Sequence, residues 1–209
     1  MYTCAICKDK PCRRGDKENY PKNCPTREEE KINEIKELYK EEENHKLSYN
    51  SALVESEGYC KKTRVEEIMD FANKCGYKNL GIAFCVGLSN EAKILYDILK
   101  SNGFKVNSVM CKNGSIQKEF MGIKEEQKVR PGTYEVMCNP IGQAEFLNKM
   151  NTDFNIALGL CVGHDSLFFK YSEAPTTVLV AKDRVLGHNP VAALYLSQGY
   201  YKKKLYPEE

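Results

Sequence analysis

Between residues 79 and 199 short apolar runs alternate with amphipathic stretches, and this texture constrains the fold more than any other feature of the chain. An apolar run followed by apolar residues at helical spacing is the unit of a βαβ chain, which assembles into a parallel sheet flanked by helices. The pattern predicts strands over 80–86, 104–111, 134–138, 154–161 and 176–182. It predicts helices over 89–102, 140–150 and 190–198, and a short one after Asp165. Asn139-Pro140 and Asn189-Pro190 open two of these helices, since Asn caps and Pro fits a first turn that needs no amide hydrogen. The runs 80–86 and 154–161 are almost continuously apolar, which suits central strands covered on both faces. The expected fold is α/β: a mainly parallel, Rossmann-like sheet flanked by helices, preceded by a cysteine-rich metal-binding segment and a helical region.

Three regions follow from this pattern: residues 1–25, residues 26–78, and the α/β domain 79–209. In the middle region Thr26 with Glu29 forms a capping-box pattern ahead of Ile32, Ile35, Leu38 and Tyr39. A second helix is expected over 47–57, stopping at Gly58, and a third from Thr63 with Glu66 to Gly76. These helices are expected to pack on the core. The connection 112–133 contains Gly114, Gly122 and Pro131-Gly132 and reads either as a lid or as a surface crossing.

Composition limits the function classes. Lys+Arg 31 against Asp+Glu 29 leaves a net charge of +2, too small a basic excess to favour nucleic acid. No apolar run reaches the ~18 residues of a membrane span, and the first residues lack the basic and apolar regions of a signal peptide. A cytoplasmic location is expected, with no membrane partner, while the oligomeric state stays open. Phosphate-loop, dinucleotide and nucleophile-elbow motifs are missing.

Ten cysteines are many for a reducing compartment, where such residues more often bind metal or do chemistry than form disulfides. Cys4, Cys7, Cys12 and Cys24 lie in a segment with no apolar period of its own, so a metal would supply its ordering energy. An iron–sulfur cluster is placed slightly ahead of zinc, because three cysteines in a compact run plus a remote Cys24-Pro25 differ from paired zinc knuckles. A redox dithiol at Cys4 and Cys7 is a third reading.

The second group is Cys85, Cys111, Cys138 and Cys161, each at the expected C-terminal end of a strand. Ligands of open α/β sheets bind at that edge. Cys85 and Cys161 close the two halves of a weak repeat, each followed by Val-Gly, so a pocket is expected around them, within roughly 10 Å of each other. His164 and Asp165 join them as candidate catalytic residues; Cys111, Cys138, Gly87 and Gly163 are candidate cofactor-binding residues. A second metal, a cluster or a substrate sulfur could be held there. Asp183 and His188 read as proton donors, metal ligands or loop caps, and Lys182 with Arg184 as anion binders or surface ion pairs.

The motifs Ala83-Phe-Cys-Val-Gly-Leu88, Met137-Cys-Asn-Pro-Ile141, Gly159-Leu-Cys-Val-Gly-His-Asp165 and Lys182-Asp-Arg-Val-Leu-Gly-His-Asn-Pro190, with the cysteines of 4–25, resemble a family of uncharacterised metal-binding proteins of archaea and anaerobic bacteria. The resemblance covers essentially the whole chain. It implies metal at Cys4, Cys7, Cys12 and Cys24, and it carries no catalytic assignment. Two functions compete. One is a metal-binding protein, iron–sulfur or zinc, with a cysteine-lined pocket for redox or sulfur-transfer chemistry on a small or sulfur-containing substrate. The other is a non-catalytic, zinc-stabilised module that stores, senses or delivers metal.

Overall fold

The computed structural model describes residues 1–206. The chain forms a first unit, Met1–Tyr59, and a second that begins at Cys60. Among the described residues no helix is long and apolar enough to cross a membrane.

In the first unit three short 3-10 turns, Cys4–Ile6, Pro11–Arg14 and Pro25–Arg27, precede helices α1 (Glu29–Leu38) and α2 (Glu42–Gly58). The Thr26–Glu29 box expected from sequence does not form. Pro25 begins a 3-10 turn that absorbs Thr26, and Glu28 becomes the cap of α1 without a side-chain bond. Arg27 holds that turn down by donating to the carbonyls of Tyr20 and Pro21. Helix α2 starts at Glu42 rather than 47. Its first turn is polar and invisible to apolar periodicity, but Glu42 and Glu43 suit the positive end of a helix.

The second unit opens with α3 (Arg64–Lys74), so the helix grouped by sequence with the helical region shares a unit with the sheet. Its capping box forms as expected: Thr63 Oγ1 accepts from the Glu66 amide and Glu66 returns a carboxylate to the Thr63 amide. Its end is a Schellman turn, with the Gly76 amide on Asn73 and the Tyr77 amide on Ala72, and Gly76 at φ +73°. Phe71 of α3 packs on Phe154, with ring centroids 5.3 Å apart.

Strands β1 (Asn79–Phe84), β2 (Lys105–Met110), β3 (Phe154–Leu160) and β4 (Thr176–Ala181) form one sheet in the order β2-β1-β3-β4, all parallel. Helices α4 (Ser89–Ser101), α5 (Pro140–Lys149) and α6 (His164–Tyr171) connect or follow them, and α7 (Val191–Tyr195) and α8 (Lys202–Leu205) come last. Ala83, Ala144, Leu147, Ala157, Leu160 and Phe168 make the core beneath α5 and α6. Ile82 faces the other way by the strand pleat and is equally buried, so both faces of β1 are covered. As expected, the apolar runs at 80–86 and 154–161 became adjacent parallel strands in the middle of the sheet.

The strand expected over 134–138 is absent. The segment is extended but runs antiparallel to the loop after β2, with one bridge between Gln117 and Val136 and with Met137 donating to Ile116. Pairing with a near sequence neighbour closes a short loop, which costs less entropy than crossing to the sheet. The helix expected over 190–198 shrinks to α7. Pro190, not Asn189, is its cap residue, and no side-chain cap bond forms.

Candidate functional site

Strand order makes the site. The chain leaves β1 toward β2 on one side and returns to β3 on the other, so β1 and β3 flank the point where the winding reverses. At such a point the connections diverge and leave a crevice at the C-terminal strand ends. Cys85 follows β1, Cys111 follows β2 and Cys161 follows β3.

Phe84 pairs with Met110 in register, which sets Cys85 beside Cys111 at about the ~4.8 Å separation of neighbouring strands. Cys138 is not on a strand. Its successor Asn139 brings it in: the Asn139 amide donates to the Cys111 carbonyl at 2.7 Å. Asn139 also caps α5 through the Gly142 amide and donates to Asn113 Oδ1 at 2.9 Å. Asn113 in turn donates to the carbonyls of Met110 and Asn139. A Cβ at Gly142 would lie 2.2 Å from Asn113 Oδ1, so this clamp needs glycine there.

The result is a row of sulfurs. The Cys111 thiol stands between Cys85 and Cys138 and acts on the titration of both. The row is fed from both ends. The Val86 amide donates to Cys111 Sγ at 3.3 Å, and the Gly87 amide and Lys182 reach Cys85. Lys112 reaches Cys138, and the charge of His164 also acts on it. The Cys85 thiol falls from its ordinary 9.0 to about 5, first through the bond from Cys111 and then through Gly87 and Lys182, against the opposing effect of burial. Cys138 falls to about 5 as well, again mainly through Cys111, with Lys112 and His164 adding to it. Cys111 moves the other way: its hydrogen bonds to Cys138 and Cys85 favour its protonated form. Cys85 and Cys111 are buried, whereas Cys138 and Cys161 are half-buried, so solvent meets the row at Cys138.

Cys161 shares the edge but takes a different partner: Arg184 Nη2 lies 3.1 Å from its Sγ. The guanidinium also feels the charges of Cys85 and Cys138, which puts all three in one electrostatic neighbourhood. The segment after β4 explains how Arg184 gets there. Asp183 accepts from the amides of Val185 and Leu186, and His188 Nδ1 accepts from the Asp183 amide. Asp183 and His188 are therefore loop caps that hold out Lys182 and Arg184.

Gly87 lies against the site: a Cβ there would be 3.7 Å from Lys182 Nζ and 3.9 Å from Cys85 Sγ. Gly163 meets nothing within 4 Å and supplies only the positive φ, +82°, that turns the chain into α6. His164 has a buried Nδ1 with no partner among the described residues. Asp165 bonds to the Ser166 amide of its own helix and serves that helix's start.

Lys112, Gln143 and Gly159 were not singled out from sequence. Gln143 is fully buried and its amide donates to the carbonyls of Phe84 and Val109, tying the ends of β1 and β2 together beneath the sulfurs. Gly159, at φ +68°, sits inside β3 where the register slips, and leaves room for Leu88 and Lys182. A glycine inside an apolar strand run was the available signal.

The first cysteine group is arranged differently. Cys4 and Cys12 are exposed, and Cys7 and Cys24 half-buried. The Cys7 amide closes a single turn on the Cys4 carbonyl at 3.2 Å. Among the described residues no three His, Cys, Asp or Glu side chains are gathered closely enough to hold a metal ion. The donor set of residues 4–24 is chemically suited to metal, but its geometry does not present a formed site.

Residues 24–179 match the sequence model of a family described as protein of unknown function, DUF1847. The chain belongs to this family. The uncharacterised protein MJ0455 of Methanocaldococcus jannaschii is 50% identical to it over 202 residues, 97% of each chain. No solved structure matches. The DUF1847 match includes Cys85, Cys111, Cys138 and Cys161 and stops short of Lys182 and Arg184. Its description names no metal and no reaction, so the metal-binding character implied by the sequence resemblance is not part of it.

Proposed function

We propose that the protein performs two-electron chemistry at sulfur, as a thiol-dependent redox or group-transfer catalyst, with Cys138 as the attacking thiolate and Cys111 as its partner thiol. One observation carries this reading: at the mouth of a parallel sheet Cys85 and Cys111 stand side by side after β1 and β2, the Val86 amide donates to Cys111 Sγ, and the Asn139 bond to the Cys111 carbonyl brings Cys138 to the same edge. The thiolate is the nucleophile, and cations together with donated hydrogen bonds favour it. A buried structural cysteine needs neither. Neighbouring parallel strands also lie within the Cα range a disulfide requires, which puts Cys85, beside Cys111 at the ends of β1 and β2, within that range.

The test is the pH dependence of alkylation by iodoacetamide in anaerobic, fully reduced protein, read peptide by peptide. A lowered pKa means that thiolate persists down to that pH. The rate at Cys138 should therefore rise through about pH 5 and be level by neutrality. A rate that climbs through the ordinary 9.0 would refute the reading.

A second reading concerns Cys4, Cys7, Cys12 and Cys24 as ligands of one iron–sulfur or zinc centre. It is supported by the spacing, by the Cys4–Cys7 turn and by four free thiols in a segment without helical or strand packing of its own. No step of the sulfur chemistry is assigned to it. Elemental analysis and a visible spectrum on anaerobically purified protein test it. Cys7→Ala should lower the metal content by about one centre per chain, and unchanged content would remove the reading.

A further inference from the structure

The positive charge around the sulfur row exceeds what the row itself needs. Lys112 approaches it from the loop after β2, and Lys182 and Arg184 from the segment after β4; none takes part in any carboxylate ion pair of the described residues. Lys112 donates to the Val136 carbonyl and Arg184 to Cys161 Sγ, while Lys182 Nζ and Cys85 Sγ lie 3.7 and 3.9 Å from where a Cβ on Gly87 would sit. Both lysines are half-buried. Withdrawing an amine from water without a carboxylate is costly, and an anion in the site offsets that cost. Cys85 and Cys138, whose thiols are held below their ordinary range, stand beside the two lysines. Arg184 remains, exposed, with Nη2 on a sulfur and the rest of its fork without a hydrogen-bond partner among the described residues. That fork matches the paired oxygens of an oxyanion.

We propose that the substrate is a small oxyanion carrying a transferable sulfur, of the thiosulfate class, seated on Arg184 and Lys112 with its outer sulfur toward Cys138. This rests on the thiolate reading above and adds the substrate to it. The Cys138 thiolate attacks the outer sulfur, and a new S–S bond forms. The S–S bond of thiosulfate breaks, and its electron pair leaves with sulfite. Charge balances with no external oxidant or proton: a thiolate and a dianion become a persulfide anion and sulfite. The persulfide then lies against Cys111, which faces Cys138 from the next segment.

The experiment uses the full chain, anaerobic and reduced, with thiosulfate as the probe and with hydroxyethyl disulfide as an uncharged electrophile of similar size. Sulfite should be released at about one per chain. In Cys111→Ser, which cannot expel the added sulfur, the Cys138 peptide should gain the mass of one sulfur atom. Cys138→Ser should release none. Arg184→Gln should lower the ratio of thiosulfate rate to disulfide rate about tenfold, as expected for loss of one charged hydrogen bond. If iodoacetamide labels Cys138 at low pH but thiosulfate releases no sulfite, the thiolate reading stands and this inference falls. An Arg184→Gln ratio equal to that of the parent chain overturns the oxyanion seat. Failure of Cys138 to react with any of the three reagents removes both.

Discussion

Gly159→Ala should destabilise the second unit by about 2–6 kcal/mol, seen as a lower urea midpoint at unchanged slope. Two separate costs add. The residue sits at φ +68°, where a side chain is strained by ~1–3 kcal/mol. Its Cβ would also lie 2.1 Å from Leu88 Cδ1, so the buried Leu88 side chain would have to repack. Gly163→Ala separates them, because Gly163 has a similar φ of +82° but open space around it. It should show only the backbone cost. The displaced neighbour matters for function, since Leu88 ends the turn whose Val86 and Gly87 amides hold Cys111 and Cys85. Folded Gly159→Ala protein should therefore also lose part of its low-pH thiol reactivity. Equal stability losses in the two variants would show that the close approach of Leu88 is not what requires glycine.

The elements legible in sequence are those whose cause is local. Thr63 with Glu66 writes a capping box, and Asn139-Pro140 writes a helix start, within four residues each, and both formed. The central strands were legible because burial on both faces leaves an unbroken apolar run. The failures share an opposite origin. Tyr134–Cys138 has strand composition, but its partner is the loop before it rather than the sheet, and composition does not name partners. Thr26 has a capping pattern, yet Pro25 and the Arg27 bonds to Tyr20 and Pro21 had already fixed that stretch as a different turn.

The site was half legible for the same reason. Four cysteines at strand ends can be read as one edge, because parallel strands bring their C-terminal ends together. Which of them touch cannot, since that depends on register and on the Asn113–Asn139 clamp across 26 residues. Cys85 and Cys161, each followed by Val-Gly, do end the adjacent strands β1 and β3, but the sequence does not show that Cys111 acts on both Cys85 and Cys138 or that Arg184 donates to Cys161. The cations Lys182 and Arg184 were plain in the sequence, but only the fold of the Asp183–His188 turn aims them at sulfur rather than at surface acids.

Removing the middle sulfur should have the largest chemical effect. In Cys111→Ala both flanking thiols lose the first cause of their lowered pKa. The Cys138 alkylation profile should move from about 5 back toward the ordinary 9.0. At pH 6 the thiolate fraction, and with it the rate, should fall at least about tenfold, because a titrating thiol well below its midpoint loses a factor of ten in thiolate for every pH unit by which that midpoint rises. Cys111→Ser keeps a hydroxyl able to donate and should hold much of the parent profile. That pairing separates hydrogen bonding from mere packing, because both variants shorten the same buried side chain. An unchanged midpoint in Cys111→Ala would mean that Lys112 and His164 set the Cys138 thiolate by themselves, and the three sulfurs would then not act as one unit.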